Sequence, residues 1–192
     1  MKYRLFMILA LMWCESAMDA QNVKELFVSI PDTILPTLTK NDRMDMVDLI
    51  ENKMENEVTN RLKGKSRLTK LTDNLAKIQL SERSEVQLCK LPTPNSYLIC
   101  MIHSVQADAW DSNVQFYNPD WTPASYHLSL SASGNFIMTF QHYDFIDDTT
   151  LKVSISDLKL SDSGEIALHQ GRTVSIKWNT NQQKFVANEA QQ

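Results

Sequence analysis

Glu85-Val-Gln-Leu-Cys-Lys-Leu-Pro-Thr-Pro-Asn-Ser-Tyr-Leu-Ile-Cys-Met-Ile-His-Ser-Val105 reads as two strands around a tight turn. Pro94-Asn95 suits the centre of that turn, and the flanking segments Glu85–Leu91 and Tyr97–Val105 are rich in strand-forming residues. A two-residue loop that pairs Thr93 with Ser96 sets Cys89 directly opposite Cys100. Directly opposed residues lie within the reach of a disulfide, and the alternatives are a Cys89–Cys100 bridge or two buried thiols behaving as small apolar residues.

The two-residue period extends on both sides. Ile78 and Leu80 alternate with polar neighbours, and Ser81–Ser84 reads as a turn. Tyr126–Ala132 and Phe136–His142 flank Ser133-Gly-Asn135, and a three-residue loop there keeps one face apolar by pairing Leu130 with Met138 and Leu128 with Phe140. Leu151–Ile155 continues the pattern, and Thr173–Trp178 with Lys184–Ala187 forms the final pair. Nothing alternates as βαβ, so a doubly wound parallel sheet is disfavoured. Between the last strands, Asp162–His169 reads as a short helix capped by Asp162 and stopped by Gly171.

The first third has a helical period. Asn22–Ile30 suits a short amphipathic helix, interrupted by Pro31 and Pro36. Thr39-x-x-Asp42 resembles a capping box, after which Val47, Ile50, Met54, Val58 and Leu62 recur at helical spacing until Gly64. Met44 and Met46 beside that stripe raise a soft-metal or adaptable binding face, against ordinary core filling. The expected class is therefore α+β: N-terminal helices packed on a mainly antiparallel β-sheet or two small sheets. Residues 21–192 form one domain, with a helical part at 22–64 and a strand-rich part at 75–187.

Residues 1–20, MKYRLFMILALMWCESAMDA, have the form of a secretory signal peptide. Lys2 and Arg4 precede an uncharged run, Leu5–Trp13, that is too short to span a bilayer, and small residues precede a cut between Ala20 and Gln21. Lipid attachment at Cys14 is disfavoured by bulky Trp13. The expected product is exported, periplasmic or secreted, with no membrane span in the mature chain. Its net charge of −4 and lack of a clustered basic face argue against nucleic acid.

Catalytic signatures are sparse. With four Gly in 192 residues there is no phosphate-cradling loop, and neither a Gly-x-Ser-x-Gly elbow nor a His-Glu-x-x-His pair occurs. No cofactor is called for. One acid–base or metal candidate remains: His142-Tyr-Asp144-Phe-Ile-Asp147-Asp148, where His142 and Asp144 share a strand face and Asp147 follows in a turn that it could equally serve as a solvated acid. Among the aromatic residues Trp110, Phe116, Tyr117, Trp121 and Tyr126, the candidates for stacking on a ligand are Trp110, Tyr117 and Trp121. The favoured function is an exported, non-catalytic binding or interaction protein for an envelope protein or glycan. A small periplasmic hydrolase or metal-dependent enzyme using His142, Asp144 and Asp147 is the alternative.

Three segments carry a family resemblance: Leu26-Phe-Val-Ser-Ile-Pro-Asp-Thr-Ile-Leu-Pro36 with its continuation to Asp48, Gly64-Lys-Ser-Arg-Leu-Thr-Lys-Leu-Thr-Asp73, and Phe116-Tyr-Asn-Pro-Asp-Trp121. Together with Trp178 and Phe185 they resemble a family of uncharacterised secreted Bacteroidales proteins classed as a domain of unknown function. The resemblance implies export with Gln21 after the cut and brings no catalytic residues.

Overall fold

The computed structural model describes residues 21–128, 138–160 and 166–187. Asn22 caps helix α1 (Val23–Ser29), its side-chain oxygen accepting from the Glu25 amide at 2.9 Å. Helix α2 (Lys40–Glu51) opens with the expected capping box. The Asp42 amide donates to Thr39 Oγ1 at 3.1 Å, and the Thr39 amide donates to Asp42 Oδ2 at 2.7 Å.

α2 stops well short of Gly64. Lys53 adopts a left-handed conformation, φ 56°. Its amide bonds the Ile50 carbonyl at 3.1 Å, while the Met54 amide bonds that of Leu49 at 2.9 Å. This is a Schellman ending with lysine where glycine is usual. The expected stripe breaks there: Met54 is 61% and Leu62 78% exposed. Val58 belongs instead to strand β1 (Glu57–Thr59), which pairs with β2 (Lys65–Leu71). Buried Asn60 closes the intervening turn, accepting from the Leu62 and Gly64 amides and donating to Ser66 Oγ and the Leu80 carbonyl.

The remaining strands are β3 (Leu75–Ser81), β4 (Ser84–Pro92), β5 (Tyr97–Gln106), β6 (Trp110–Tyr117), β7 (Met138–Phe145), β8 (Thr150–Leu160), β9 (Ile166–Asn179) and β10 (Lys184–Ala187). They form two antiparallel sheets, ordered β1-β2-β3-β4-β5-β6 and β10-β9-β8-β7. The α+β class with N-terminal helices packed on a sheet is thus corrected to a mainly β protein. Ten strands make up the described architecture, against helices of only 7 and 12 residues.

The central strands of the first sheet, β4 and β5, are buried on both faces. Val86, Leu88, Ile99 and Met101 join Leu26, Phe27, Met46 and Val47 in one core cluster. Cys89, Leu91, Cys100 and Ile102 join Tyr143, Phe145, Leu151, Val153 and Trp178 in another. Double burial explains why β4 and β5 read as nearly continuous apolar runs. Fully buried Arg43 ties α2 to the preceding loop, donating at 2.6 Å to both the Leu38 and Ile30 carbonyls.

The second sheet meets the first through the edge of β7. The Ile146 amide bonds the Thr150 carbonyl, so the odd-numbered amides of β7 point away from β8. They donate to side chains of the first sheet: Gln141 to Asp111 Oδ1 at 3.1 Å, Tyr143 to Ser112 Oγ at 3.1 Å, and Phe145 to Gln87 Oε1 at 2.9 Å. An edge strand is thereby closed without another strand.

Two further expectations change. Residues 166–169 belong to β9, so the Asp162–His169 helix is overturned there, while 162–165 lie outside the described residues. Gly171 is a strand glycine. A Cβ on it would lie 2.8 Å from the Ile155 carbonyl, next to the register shift between Ser154 and Ser156. Leu128 lies outside any strand and Phe140 pairs with Ser156; of the expected Leu130–Met138 pair, Met138 pairs with Leu158 and Leu130 lies outside the described residues.

Candidate functional site

β6 separates the aromatic candidates. Trp110 begins the strand and Tyr117 ends it, about 23 Å apart at 3.3 Å per residue, on opposite faces. Tyr117 lies with Trp121, ring centroids 5.6 Å apart, against the helix-side core. Trp121 is held at φ 66° and its indole donates to Ser29 Oγ at 3.2 Å. Phe116 packs on Tyr126 at 4.4 Å in the core between the sheets, and Tyr126 continues to Trp178. Trp110 therefore stands apart from both Tyr117 and Trp121.

Its neighbour comes from the other candidate set. Trp110 stacks on His142, with centroids 5.1 Å apart and planes 19° from parallel. His142 Nε2 lies 3.4 Å from Glu85 Oε1. The hydrogen bond with His142 holds the Glu85 carboxyl below its ordinary range, against the opposing effect of burial.

Asp144 shares the β7 face of His142, but its carboxylate pairs with Lys77. Asp147 closes the β7–β8 turn, accepting from the Thr149 and Thr150 amides, each at 2.8 Å. Burial alone would raise its pKa, and these bonds with those of the threonine hydroxyls outweigh that and lower it. The three candidates His142, Asp144 and Asp147 are thus engaged with three different partners. Among the described residues, no group of three or more His, Cys, Asp or Glu side chains is placed to hold a metal.

The Trp110–His142 stack borders a cleft of about 400 Å³ between the β5–β6 turn and the second sheet. Its floor follows the cross-strand row His142, Ser154, Thr173, with Lys152 beside it and Asp108 and Gln106 at the turn. Among the described residues, none is a hydrogen-bond partner of the Ser154 or Thr173 hydroxyl or of the Lys152 ammonium. The cleft therefore offers a ring stack beside polar groups free to bind. Its Lys152, Ser154 and Thr173, and the Glu85 behind His142, carry no motif and converge only through the register.

A larger cleft, about 500 Å³, lies at the other end of β5, between the β4–β5 and β7–β8 turns. Its charged and aromatic groups are already engaged. Lys90 Nζ donates to the Gln21 carbonyl at 2.8 Å and sits 4.7 Å over the Tyr97 ring, whose hydroxyl donates to Gln21 Oε1 at 3.2 Å. Asp148 accepts from Thr72 and Asn74 at 3.2 and 3.3 Å. Gln21 is thus fixed in place, while Ala20, Cys14 and the rest of the leader lie outside the described residues.

Cys89 and Cys100 are directly opposed as the turn requires, and both are free, buried thiols. Burial pushes both pKa values well up.

Among the described residues, no helix is long and apolar enough to cross a membrane. No curated protein matches the chain. Its fold is similar to a solved structure described as a domain of an uncharacterized protein from Porphyromonas gingivalis W83. The TM-score is 0.66, with 18% identity, over 86% of this chain and 98% of that one. Residues 15–186 match the model of a family described as "Protein of unknown function (DUF3256)", and the chain belongs to that family.

Proposed function

We propose that this is an exported, non-catalytic binding protein of the cell envelope, and that the cleft beside Trp110 and His142 takes a glycan. Residues 1–20 support export through their basic start, short apolar run and small residues before Gln21. The Porphyromonas gingivalis neighbour supports a Bacteroidales origin. The observation that carries the binding reading is the Trp110–His142 stack next to the unpartnered Ser154 and Thr173 hydroxyls. Sugars present apolar C–H faces to aromatic rings and hydroxyls to polar side chains, and a cleft of this volume suits a few sugar units at most.

The test is calorimetric titration of the purified protein with neutral oligosaccharides released from the cell envelope. Binding is expected, lost in Trp110→Ala and retained in Trp121→Ala. Equal binding by the Trp110→Ala variant overturns the assignment. Recovery of shortened oligosaccharide after incubation overturns the non-catalytic reading.

A further inference from the structure

The two methionines beside the α2 stripe have different fates. Met46 is fully buried in the helix-side core, whereas Met44 is 45% exposed. Met44 lies with Val28 and Val47 in a groove of about 310 Å³ between α1 and α2, bordered by Lys24, Glu25 and Asp48. The groove walls are almost wholly apolar.

The rim is acidic. Lys24 directs its ammonium at both carboxylate oxygens of Glu51, at 2.7 and 2.8 Å. Among the described residues, no cation pairs with Glu25, Asp45 or Asp48, all exposed on the same two helices. Lys24, held by Glu51, is the one cation on the rim among the described residues, so Glu25 and Asp48 leave it net acidic. An adaptable thioether over an apolar floor with such a rim is complementary to a segment bearing apolar side chains on one face and Lys or Arg beside them.

We propose that the α1–α2 groove docks a cationic amphipathic segment of a partner protein, with an apolar side chain on Met44 and basic side chains against Glu25 and Asp48. A second copy of the chain would set acidic rim against acidic rim. An anionic membrane surface would be repelled. The groove is separate from the Trp110 cleft and stands whether or not that cleft takes a glycan.

The experiment titrates the purified protein with a Leu/Lys amphipathic peptide of about 14 residues, a length at which helix is marginal alone and can form on the surface. Its Leu/Glu counterpart is the control, and amide shifts locate the contact. Saturable binding of the Leu/Lys peptide is expected, with shifts centred on Val28, Met44 and Val47. Affinity should fall on the order of tenfold in the E25K/D48K double variant. The Leu/Glu peptide should bind that variant and not the wild type, which also shows the variant folded. Equal affinity of both proteins for the Leu/Lys peptide, or shifts centred elsewhere, overturns the proposal. So does dimerisation abolished by E25K/D48K, or sedimentation of the wild type with phosphatidylglycerol vesicles.

Discussion

Trp110 stacks on His142 at 5.1 Å, joining the first residue of β6 to the middle of the edge strand of the other sheet. Such a ring pair contributes about 0.5–1.5 kcal/mol beyond the area it buries. Urea denaturation of Trp110→Ala, His142→Ala and the double variant should therefore give a coupling of about 1 kcal/mol, the double change costing less than the sum. Strictly additive losses would mean the stack does not form in solution.

The Glu85–His142 contact makes acid stability measurable at the same place. Glu85 titrates below its ordinary value in the folded protein because of its bond to His142. A carboxyl with a lowered folded pKa contributes stability above its unfolded pKa and loses it as the pH falls through the folded one. Replacing Glu85 by Gln removes that contribution. Denaturation midpoints of the Glu85→Gln variant should lie below wild type near neutrality and converge on it in acid, below about pH 4. A deficit that persists unchanged in acid would assign the loss to packing.

Gln87 does the work of a strand backbone against β7. Its side chain is fully buried, accepts from the Phe145 amide at 2.9 Å and donates to the Tyr143 carbonyl at 3.4 Å. Gln87→Leu keeps the apolar bulk and leaves both backbone groups unpaired, so a loss of about 2–3 kcal/mol is expected. Hydrogen exchange at the Phe145 amide should accelerate more than at any other amide of β7. Unchanged protection there would show that water or another donor replaces the glutamine.

What the sequence reveals depends on how far apart the interacting residues lie. The β4–β5 register is legible because a two-residue loop at Pro94-Asn95 fixes every pair behind it, down to Cys89 opposite Cys100. The start of α2 is legible because Thr39 and Asp42 cap it locally. Its end is not, since Lys53 takes a conformation that glycine usually supplies and Gly64 offers a more conventional stop. Gly171 misleads in the same way, serving close strand approach where a helix stop was expected. The site is less legible still. His142 stands out as chemistry, but its partner Glu85 is 57 residues away and Trp110 belongs to the other sheet, so sequence proximity grouped it with Asp144 and Asp147.

That ending of α2 makes its own prediction. A left-handed conformation costs an ordinary residue about 1–2 kcal/mol, which glycine escapes at some expense in unfolded-state entropy. Lys53→Gly should therefore stabilise the protein by about 0.5–1 kcal/mol in thermal or urea unfolding. Destabilisation would mean that the Lys53 side chain makes a contribution beyond its backbone.

The cysteine pair combines a correct register with an unfavourable geometry. The Lys90 amide bonds the carbonyl of Asn74, the residue just before β3, at 2.8 Å, so the Cys89 amide faces β5 and Cys89–Cys100 is a hydrogen-bonded pair. Such pairs hold their Cβ atoms about 5 Å apart, whereas a disulfide draws them to about 3.8 Å. Closing the bridge would pull two central strands together by about 1 Å inside a core packed on both faces. The Cys89 thiol also has a partner, donating to the Asp148 carbonyl at 3.3 Å, and burial keeps both sulfurs protonated and poor nucleophiles. The folded protein should accordingly keep both thiols. Unfolded in guanidinium without reductant, protein recovered from an oxidising compartment should release two equivalents to a thiol reagent, with no mass change on reduction. Absence of thiols together with a gain of about 2 Da on reduction, one hydrogen per sulfur, would show that the bridge forms before the sheets close over it.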